Sequence, residues 1–270
     1  MKDKFYGKLS QTTCKSNIEL YVEEIQNNGF TIIENILNSD DLIKYREKID
    51  LVYKTQVNEF GIDNLSLIKE KNLCRMPLKY DDYFINIATN ELVLSIVKSF
   101  LGDYYILNLQ NAIINTPNEE HHQSSWHRDL PYQNYVISNP LAINALFCID
   151  DFNNETGGTT VLPYTHKKEV LPSSEYIQKH SLLAEAKAGS VIVFDSMLFH
   201  RAGYNSSDII RRAVNHMYSI PIMKQFYDFP SALNGRFSES PFLSQLLGYT
   251  SQTPLDDVVW REKRLGRYVD

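Results

Sequence analysis

Apolar and polar positions along this chain follow two different periods, and the change of period divides the sequence. Near the start, Ile18, Tyr21, Val22 and Ile25 recur at the spacing of one helical face until Asn28-Gly29 ends the pattern. A β-branched run, Phe30-Thr-Ile-Ile-Glu-Asn-Ile36, follows directly. Ser39 then reads as an N-cap, with Leu42, Tyr45, Ile49 and Val52 along the buried face of a second helix. A third helix is predicted over Glu91–Leu101, with Leu92, Ile96, Val97 and Phe100 inward.

Beyond Gly102 the helical period gives way to short β-branched and aromatic runs: Tyr104–Asn115, Leu141–Asp150, Thr159–Leu162, Ser190–Phe194 and Arg212–Ile220. Turn formers separate them, at Thr116-Pro-Asn, Ser138-Asn-Pro, Asn153-Asn-Glu-Thr-Gly-Gly, Ala188-Gly and Tyr204-Asn-Ser-Ser. Helices followed by many short strands predict an α+β, mainly β fold: a sandwich or barrel closed against the N-terminal helices. The aromatic-rich end of the chain shows no period, and no element is predicted there.

Composition narrows the function classes. The 270 residues are 43% hydrophobic, enough for a large core, and no repeat, low-complexity tract or linker divides them. A single domain is expected, with 1–102 as mainly helical support, 103–220 as the strand core and 221–270 as a C-terminal extension. A net charge of −6 demotes nucleic-acid binding. Cys14, Cys74 and Cys148 are odd in number and form no CxxC pair, which disfavours a disulfide scaffold and fits a reducing compartment. Neither an apolar leader nor a membrane-length apolar stretch is present. The expectation is a cytoplasmic protein with neither membrane nor nucleic-acid partner. Homo-oligomerisation stays open.

Candidate chemistry centres on Ser-Ser-Trp-His127-Arg-Asp129-Leu-Pro-Tyr. Residues two apart on a strand share a face, so this imidazole and carboxylate can grip one metal. Alone, such a pair is as easily a surface His and Asp. Downstream, His200 ends the apolar run Gly189-Ser-Val-Ile-Val-Phe-Asp-Ser-Met-Leu-Phe-His and would supply a third ligand. Two His and one carboxylate on one face leave coordination positions open, the donor set of non-haem Fe(II) oxygenases. Arg211 opens the next strand-like run and could hold the distal carboxylate of a chelating 2-oxo acid. Arg212 beside it reads as a surface cation.

With these residues in place, the sequence resembles the phytanoyl-CoA dioxygenase family of Fe(II)/2-oxoglutarate oxygenases. The matching pieces come in family order: Asn28-Gly-Phe-Thr-Ile-Ile-Glu, Trp126-His-Arg-Asp-Leu-Pro-Tyr, Asn154-Glu-Thr-Gly-Gly-Thr-Thr-Val-Leu-Pro-Tyr-Thr-His166, Ala188-Gly-Ser-Val-Ile-Val-Phe, His200, Asn205-Ser and Arg211. Leu246-Leu-Gly-Tyr and Trp260-Arg-Glu-Lys-Arg are similar to the tail of some bacterial members.

The resemblance implies a double-stranded β-helix, a cupin-like jelly roll, with the N-terminal helices outside. It implies His127, Asp129 and His200 as iron ligands, Arg211 on the 2-oxoglutarate C5 carboxylate, and Gln110 as a further cosubstrate contact. Hydroxylation of a small-molecule metabolite, with O₂ as cosubstrate and succinate and CO₂ released, is the implied reaction. Retention of Asp129 favours hydroxylation over halogenation, because related halogenases carry a small residue there. Tyr132 and Gln133, in the loop after the His-x-Asp pair, are candidate substrate contacts. The sequence departs from the family at Ala202, a serine in some members, and at Tyr164, where a glycine is usual.

The other histidines receive structural readings: His166 in a turn, His216 in the core, His121, His122 and His180 in solvated loops. Arg128 is expected to face away from the site. Two alternative functions remain at this level, a non-catalytic jelly-roll binding protein and a cupin-type metal-dependent hydrolase or isomerase.

Overall fold

In the computed structural model, which describes residues 11–130 and 135–269, helix α1 (Asn17–Asn28) begins where the Ser16 hydroxyl accepts from the Glu19 N–H. It stops at Gly29, whose φ of +94° and close approach to His166 and Leu198 leave no room for a Cβ. Strand β1 (Phe30–Ile33) follows. Helix α2 (Ser39–Phe60) is capped by Asn38, one residue before the expected Ser39, because Asn38 Oδ1 reaches the Asp41 N–H at 2.9 Å. Leu42, Tyr45, Ile49 and Val52 form its buried face.

Short elements without a readable period fill the next stretch: α3 (Ile62–Leu67), β2 (Leu73–Arg75), α4 (Pro77–Tyr80) and α5 (Phe84–Ala88). In α6 (Glu91–Leu101) the buried stripe is Val93, Leu94, Ile96, Val97 and Leu101, while Leu92 and Phe100 are half-buried. The face is therefore rotated from the expected one. Seven of the eleven positions of this helix are apolar, so the apolar face is broad and its period does not define a unique phase.

The remaining strands are β3 (Ile106–Asn115), β4 (Ala142–Cys148), β5 (Thr160–Val161), β6 (Leu182–Leu183), β7 (Val191–Asp195), β8 (His200–Arg201) and β9 (Arg211–Ser219), with α7 (Ser174–His180) between β5 and β6. Among the described residues the major sheet runs β1-β7-β4-β9-β3-β2, all antiparallel, and the minor sheet runs β6-β5-β8. The two sheets make a double-stranded β-helix. Helices α1, α2 and α6 cover the outer face of the major sheet, where Leu107, Ala145, Phe147, Val193 and Tyr218 join Ile49, Ile96 and Val97 in one core.

The C-terminal segment adds α8 (Phe229–Leu233), α9 (Pro241–Leu246) and α10 (Asp257–Val269). Phe229, Leu233, Leu246 and Leu247 are buried in that same outer core, so α8 and α9 are held by tertiary packing, while Val258, Trp260, Leu265 and Tyr268 of α10 are exposed.

Strand register decides what faces inward. Asn215 lies opposite Leu146 on one side and Asn111 on the other. Side chains alternate between faces, so Arg211, Ala213, Asn215 and Met217 of β9 project inward with Ile113, Asn111 and Leu109 of β3. The barrel interior thus reads, from one end to the other, guanidinium, apolar packing, a polar belt, then methionine.

Candidate metal centre and its cavity

The apolar run ending in His200 is two strands, not one. After β7 the Asp195 carboxylate accepts the Met197 N–H at 2.8 Å and the Asp195 carbonyl accepts the Leu198 N–H, a turn that carries the chain from the major to the minor sheet. His200 therefore enters β8 beside β5, with Val161 as its partner. His127 is not in a regular strand either. It makes an isolated antiparallel bridge to His200, exchanging N–H···O bonds of 3.0 and 3.1 Å. Two residues on, the Asp129 N–H donates to the Ser196 carbonyl at 3.1 Å. These backbone bonds keep His127 and Asp129 on the face that His200 shares.

The three side chains converge. Asp129 Oδ1 stands 3.7 Å from Nε2 of His127 and 3.7 Å from Nε2 of His200, and all three donor atoms lie within 4.8 Å of one another. Both imidazoles are oriented from behind, His127 Nδ1 donating to the Ser125 carbonyl (2.9 Å) and His200 Nδ1 to the Leu198 carbonyl (3.0 Å). With the proton on Nδ1, each Nε2 presents a lone pair inward. Burial outweighs the attraction of Asp129 and holds His200 below its ordinary pKa, in the neutral form a metal needs. His127 Nε2 is buried without a protein partner. An orphaned acceptor facing a carboxylate oxygen and a second imidazole fits a divalent cation.

The carboxylate is fixed by residues the sequence reading missed. Asp129 Oδ2 accepts from Asn144 Nδ2 (2.6 Å) and Asn215 Nδ2 (3.2 Å), and Asn144 Oδ1 in turn accepts from the Ser196 hydroxyl. One oxygen is thereby spent on amides and the other turned toward the histidines. A signal existed in the sequence for Asn144, the lone amide of an otherwise apolar strand, where a buried polar group needs a partner; Asn215 sits in a strand with several polar residues and carried no such signal.

Arg211 is 2% exposed, and its Nη2 donates to the Gly157 carbonyl at 2.9 Å while the Phe152 ring covers its face at 4.3 Å. Its Nε is buried without a partner, and no ion pair to it occurs among the described residues. Burial pulls its pKa down to about 10, so it stays charged at neutral pH. A buried, unmatched guanidinium is a strong anion site. It lines one cavity with His127, His200, Asn215, Thr159 and Gln123; Ala202 also borders this space, where some family members carry a serine. Gly157 (φ +69°) closes the floor, since a Cβ there would come 2.5 Å from the Gly203 carbonyl oxygen.

Other residues fall elsewhere. Gln110 is fully buried on the outer face of β3: Oε1 accepts from the Leu78 N–H (3.0 Å), and Nε2 reaches the Phe84 carbonyl (3.0 Å) and His216 Nε2 (2.9 Å). The expected cosubstrate contact is absent from this geometry, because Gln110 is one residue out of phase with Asn111 and Ile113. His216 is a core histidine, and His166 is a buried turn residue bonded to the Gln26 carbonyl. Arg128 faces away, donating to the Met197 and Glu169 carbonyls. Tyr132 and Gln133 lie outside the described residues.

Three expectations need correction. Arg212 is no free surface cation but binds Asp50 through two bonds of 2.8 Å and also meets Asp150, tying β9 to α2. His121 and His122 are not solvated. His121 is buried and His122 half-buried, their rings lie tilted with centroids 4.4 Å apart, and burial pushes their pKa values down to about 3 and about 4. Their loop is pinned to the barrel by Asn118 N–H on the Asn205 carbonyl and by Ala202 N–H on the Gln123 carbonyl.

Comparison with known proteins agrees with this fold. The family model described as phytanoyl-CoA dioxygenase matches residues 25–213. An uncharacterized protein of Mycobacterium tuberculosis is 33% identical over 85% of this chain and 86% of its own. Peroxisomal phytanoyl-CoA dioxygenase of Bos taurus is 23% identical, covering 78% of this chain and 72% of that one. Among solved structures, the non-haem α-ketoglutarate-dependent epimerase SnoN of nogalamycin biosynthesis shares the fold, with a TM-score of 0.58 at 16% identity over 76% of this chain and 83% of that one. The chain belongs to the phytanoyl-CoA dioxygenase family, whose cofactor and cosubstrate are iron and 2-oxoglutarate.

Proposed function

We propose that the protein is a dioxygenase that hydroxylates a small-molecule metabolite of the cytoplasm, with His127, Asp129 and His200 as iron ligands and Arg211 as the anchor of the 2-oxoglutarate C5 carboxylate. When bound, iron with 2-oxoglutarate and O₂ supplies oxidising power, and succinate and CO₂ are the coproducts. The observation that carries this reading is the single Asp129 oxygen equidistant from two inward-facing Nε2 atoms. His127 and His200 present lone pairs, Asp129 contributes the negative charge, and Asn144 with Asn215 prevents the carboxylate from turning away. Arg211 neutralises an anion at the far end of the cavity. Retention of Asp129, where related halogenases carry a small residue, favours hydroxylation over halogenation.

The test is anaerobic titration with Fe(II), then 2-oxoglutarate, followed by O₂-dependent succinate release over a panel of small metabolites. Binding of both with stimulated succinate release is the expected result. A protein that binds neither is a jelly-roll scaffold, and one that turns over without O₂ is a hydrolase or isomerase.

A further inference from the structure

The barrel interior has two unequal halves. Along β9 the metal level is marked by Asn215, which holds Asp129. Arg211 lies four residues to one side, about 13 Å at strand rise, and Met217 two residues to the other, about 7 Å. On the Arg211 side the interior is packed by Ile113, Leu146, Cys148, Phe194 and Ala213 around the cavity already described. On the other side stands a separate small cluster of Leu109, Leu130, Ala142, Met197 and Met217, with Met223 and Tyr227 against it. Unbranched thioethers fill irregular space and adapt to an occupant, so buried methionines gathered on this side of the metal level suit a binding wall.

A polar edge borders that cluster. Asn111 sits directly across from Asn215 on the inner face. In the amide orientation that satisfies its neighbours, Asn111 Nδ2 donates to Tyr227 Oη (2.8 Å) and its Oδ1 accepts from Arg75 Nη1 (3.0 Å). Arg75 also approaches Tyr227 Oη at 3.4 Å. The phenol oxygen is thus fully used as an acceptor, and its hydrogen is unspent among the described residues. Burial raises the Tyr227 pKa, so the hydrogen stays on. Arg75 carries no spare charge, because Glu70 pairs with it through two bonds.

Resting on the function proposed above, we infer that Met197, Met217, Leu109, Asn111 and Tyr227 form the substrate subsite of the metal centre, taking a molecule with an apolar face and an uncharged hydroxyl or carbonyl oxygen. The methionines and Leu109 pack the apolar face, and the Tyr227 hydroxyl donates to the oxygen. A carboxylate or phosphate is disfavoured, since the adjacent cation is already matched. The C-terminal extension, through Tyr227, selects the substrate.

Metal-directed oxidation tests this without a known substrate. The full-length protein is loaded with Fe(II), exposed to ascorbate and O₂, digested, and mapped by mass spectrometry. Met76 is an internal control, because it is as buried as Met197 and Met217 (7% against 4% exposed) but lies in the outer core. Oxygen addition at Met217, Met197 or Tyr227 is expected to exceed that at Met76 about tenfold, and to vanish in His200→Ala and when Zn(II) replaces iron. Oxidation that depends on His200 but falls on Phe152, Phe194 or His121 instead overturns the subsite and leaves the metal assignment standing. Oxidation independent of His200 overturns both. Cyclohexanol and cyclohexanecarboxylate, added at equal concentration, probe the chemistry. Selective protection of Met217 by the alcohol supports the neutral-oxygen assignment, and equal protection, none, or better protection by the carboxylate removes it.

Discussion

Asn144 donates to Asp129 Oδ2 at 2.6 Å and in doing so decides which carboxylate oxygen meets the histidines. The amide reaches across from β4, a strand that contributes no metal-facing imidazole, and is itself braced by the Ser196 hydroxyl. The orientation of Asp129 is therefore set by a major-sheet residue acting on a carboxylate held to the minor-sheet side.

Truncating that brace should loosen the site without emptying it. Asn144→Ala is expected to weaken Fe(II) or Mn(II) binding by about 10- to 100-fold, whereas Asp129→Ala should abolish it. Calorimetric titration under anaerobic conditions measures both. Wild-type affinity in Asn144→Ala would show that Asp129 needs no orientation.

The adjacent arginines should separate cleanly. Arg211→Met is expected to weaken 2-oxoglutarate binding by roughly 2–5 kcal/mol, the order of magnitude for removing one partner of a buried charge pair. Arg212→Met should leave that affinity alone and instead lower stability by about 1–3 kcal/mol, because Asp150 loses one of its two arginine partners and Asp50 its own. Ligand titration and chemical denaturation on both variants distinguish the roles; a swapped pattern would place the wrong arginine in the cavity.

Gln110 decides between the family-derived expectation and the geometry. Gln110→Leu should destabilise the protein by about 2–4 kcal/mol, since the buried Leu78 N–H and Phe84 carbonyl both lose a partner. Its 2-oxoglutarate affinity should match wild type when measured well below the melting temperature. Weakened binding in a stably folded variant would return Gln110 to the cavity.

Acid sensitivity is the fourth expectation. Burial depresses the His216 pKa to about 3, against the 6.5 of a solvated imidazole. Its folded pKa lies below the unfolded one, so its stabilising contribution is complete above pH 6.5 and is lost as pH falls below that value. Between pH 7.5 and 5.5 the loss from this one group is about 1.4 kcal/mol. In His216→Gln the fall in unfolding free energy over that interval should shrink by about this amount, as read from denaturant curves at the two pH values. An unchanged slope would mean that His216 protonates inside the fold.

What the sequence made legible follows from which signals are local. Helices α1 and α2 announced themselves through one-sided apolar spacing, and α1 through its Gly29 stop, while the cap of α2 falls one residue before the expected Ser39; the long strands showed as β-branched runs closed by turn formers. His127, Asp129, His200 and Arg211 stood out by residue type, order and spacing. Less visible was anything that depends on strand register. A phase error of one residue sends Gln110 outward and Asn111 inward, and no local pattern in Leu107-Asn-Leu-Gln-Asn-Ala reports it, because polar residues occur on both faces. Arg212 and the His121–His122 pair were misjudged for a related reason: Asp50, which binds Arg212, and Asn205 and Ala202, which hold Asn118 and Gln123 on either side of the histidines, are distant in sequence. Helices α8 and α9 fold against a surface built by other elements, so their own pattern is silent.

The close approach of Gly157 to Gly203 bears on how variable such a barrel can be. Asn115 Nδ2 bridges the carbonyls of both glycines, at 3.3 and 3.0 Å, and Arg211 bonds to one of them. At this end backbone touches backbone, and no side chain can be inserted to widen the gap. At the opposite end the walls meet through flexible side chains. The molecule is thus a vise with one welded jaw and one cushioned jaw: the welded jaw fixes the size of whatever sits on Arg211, and the cushioned jaw can be re-cut by single substitutions without disturbing the weld.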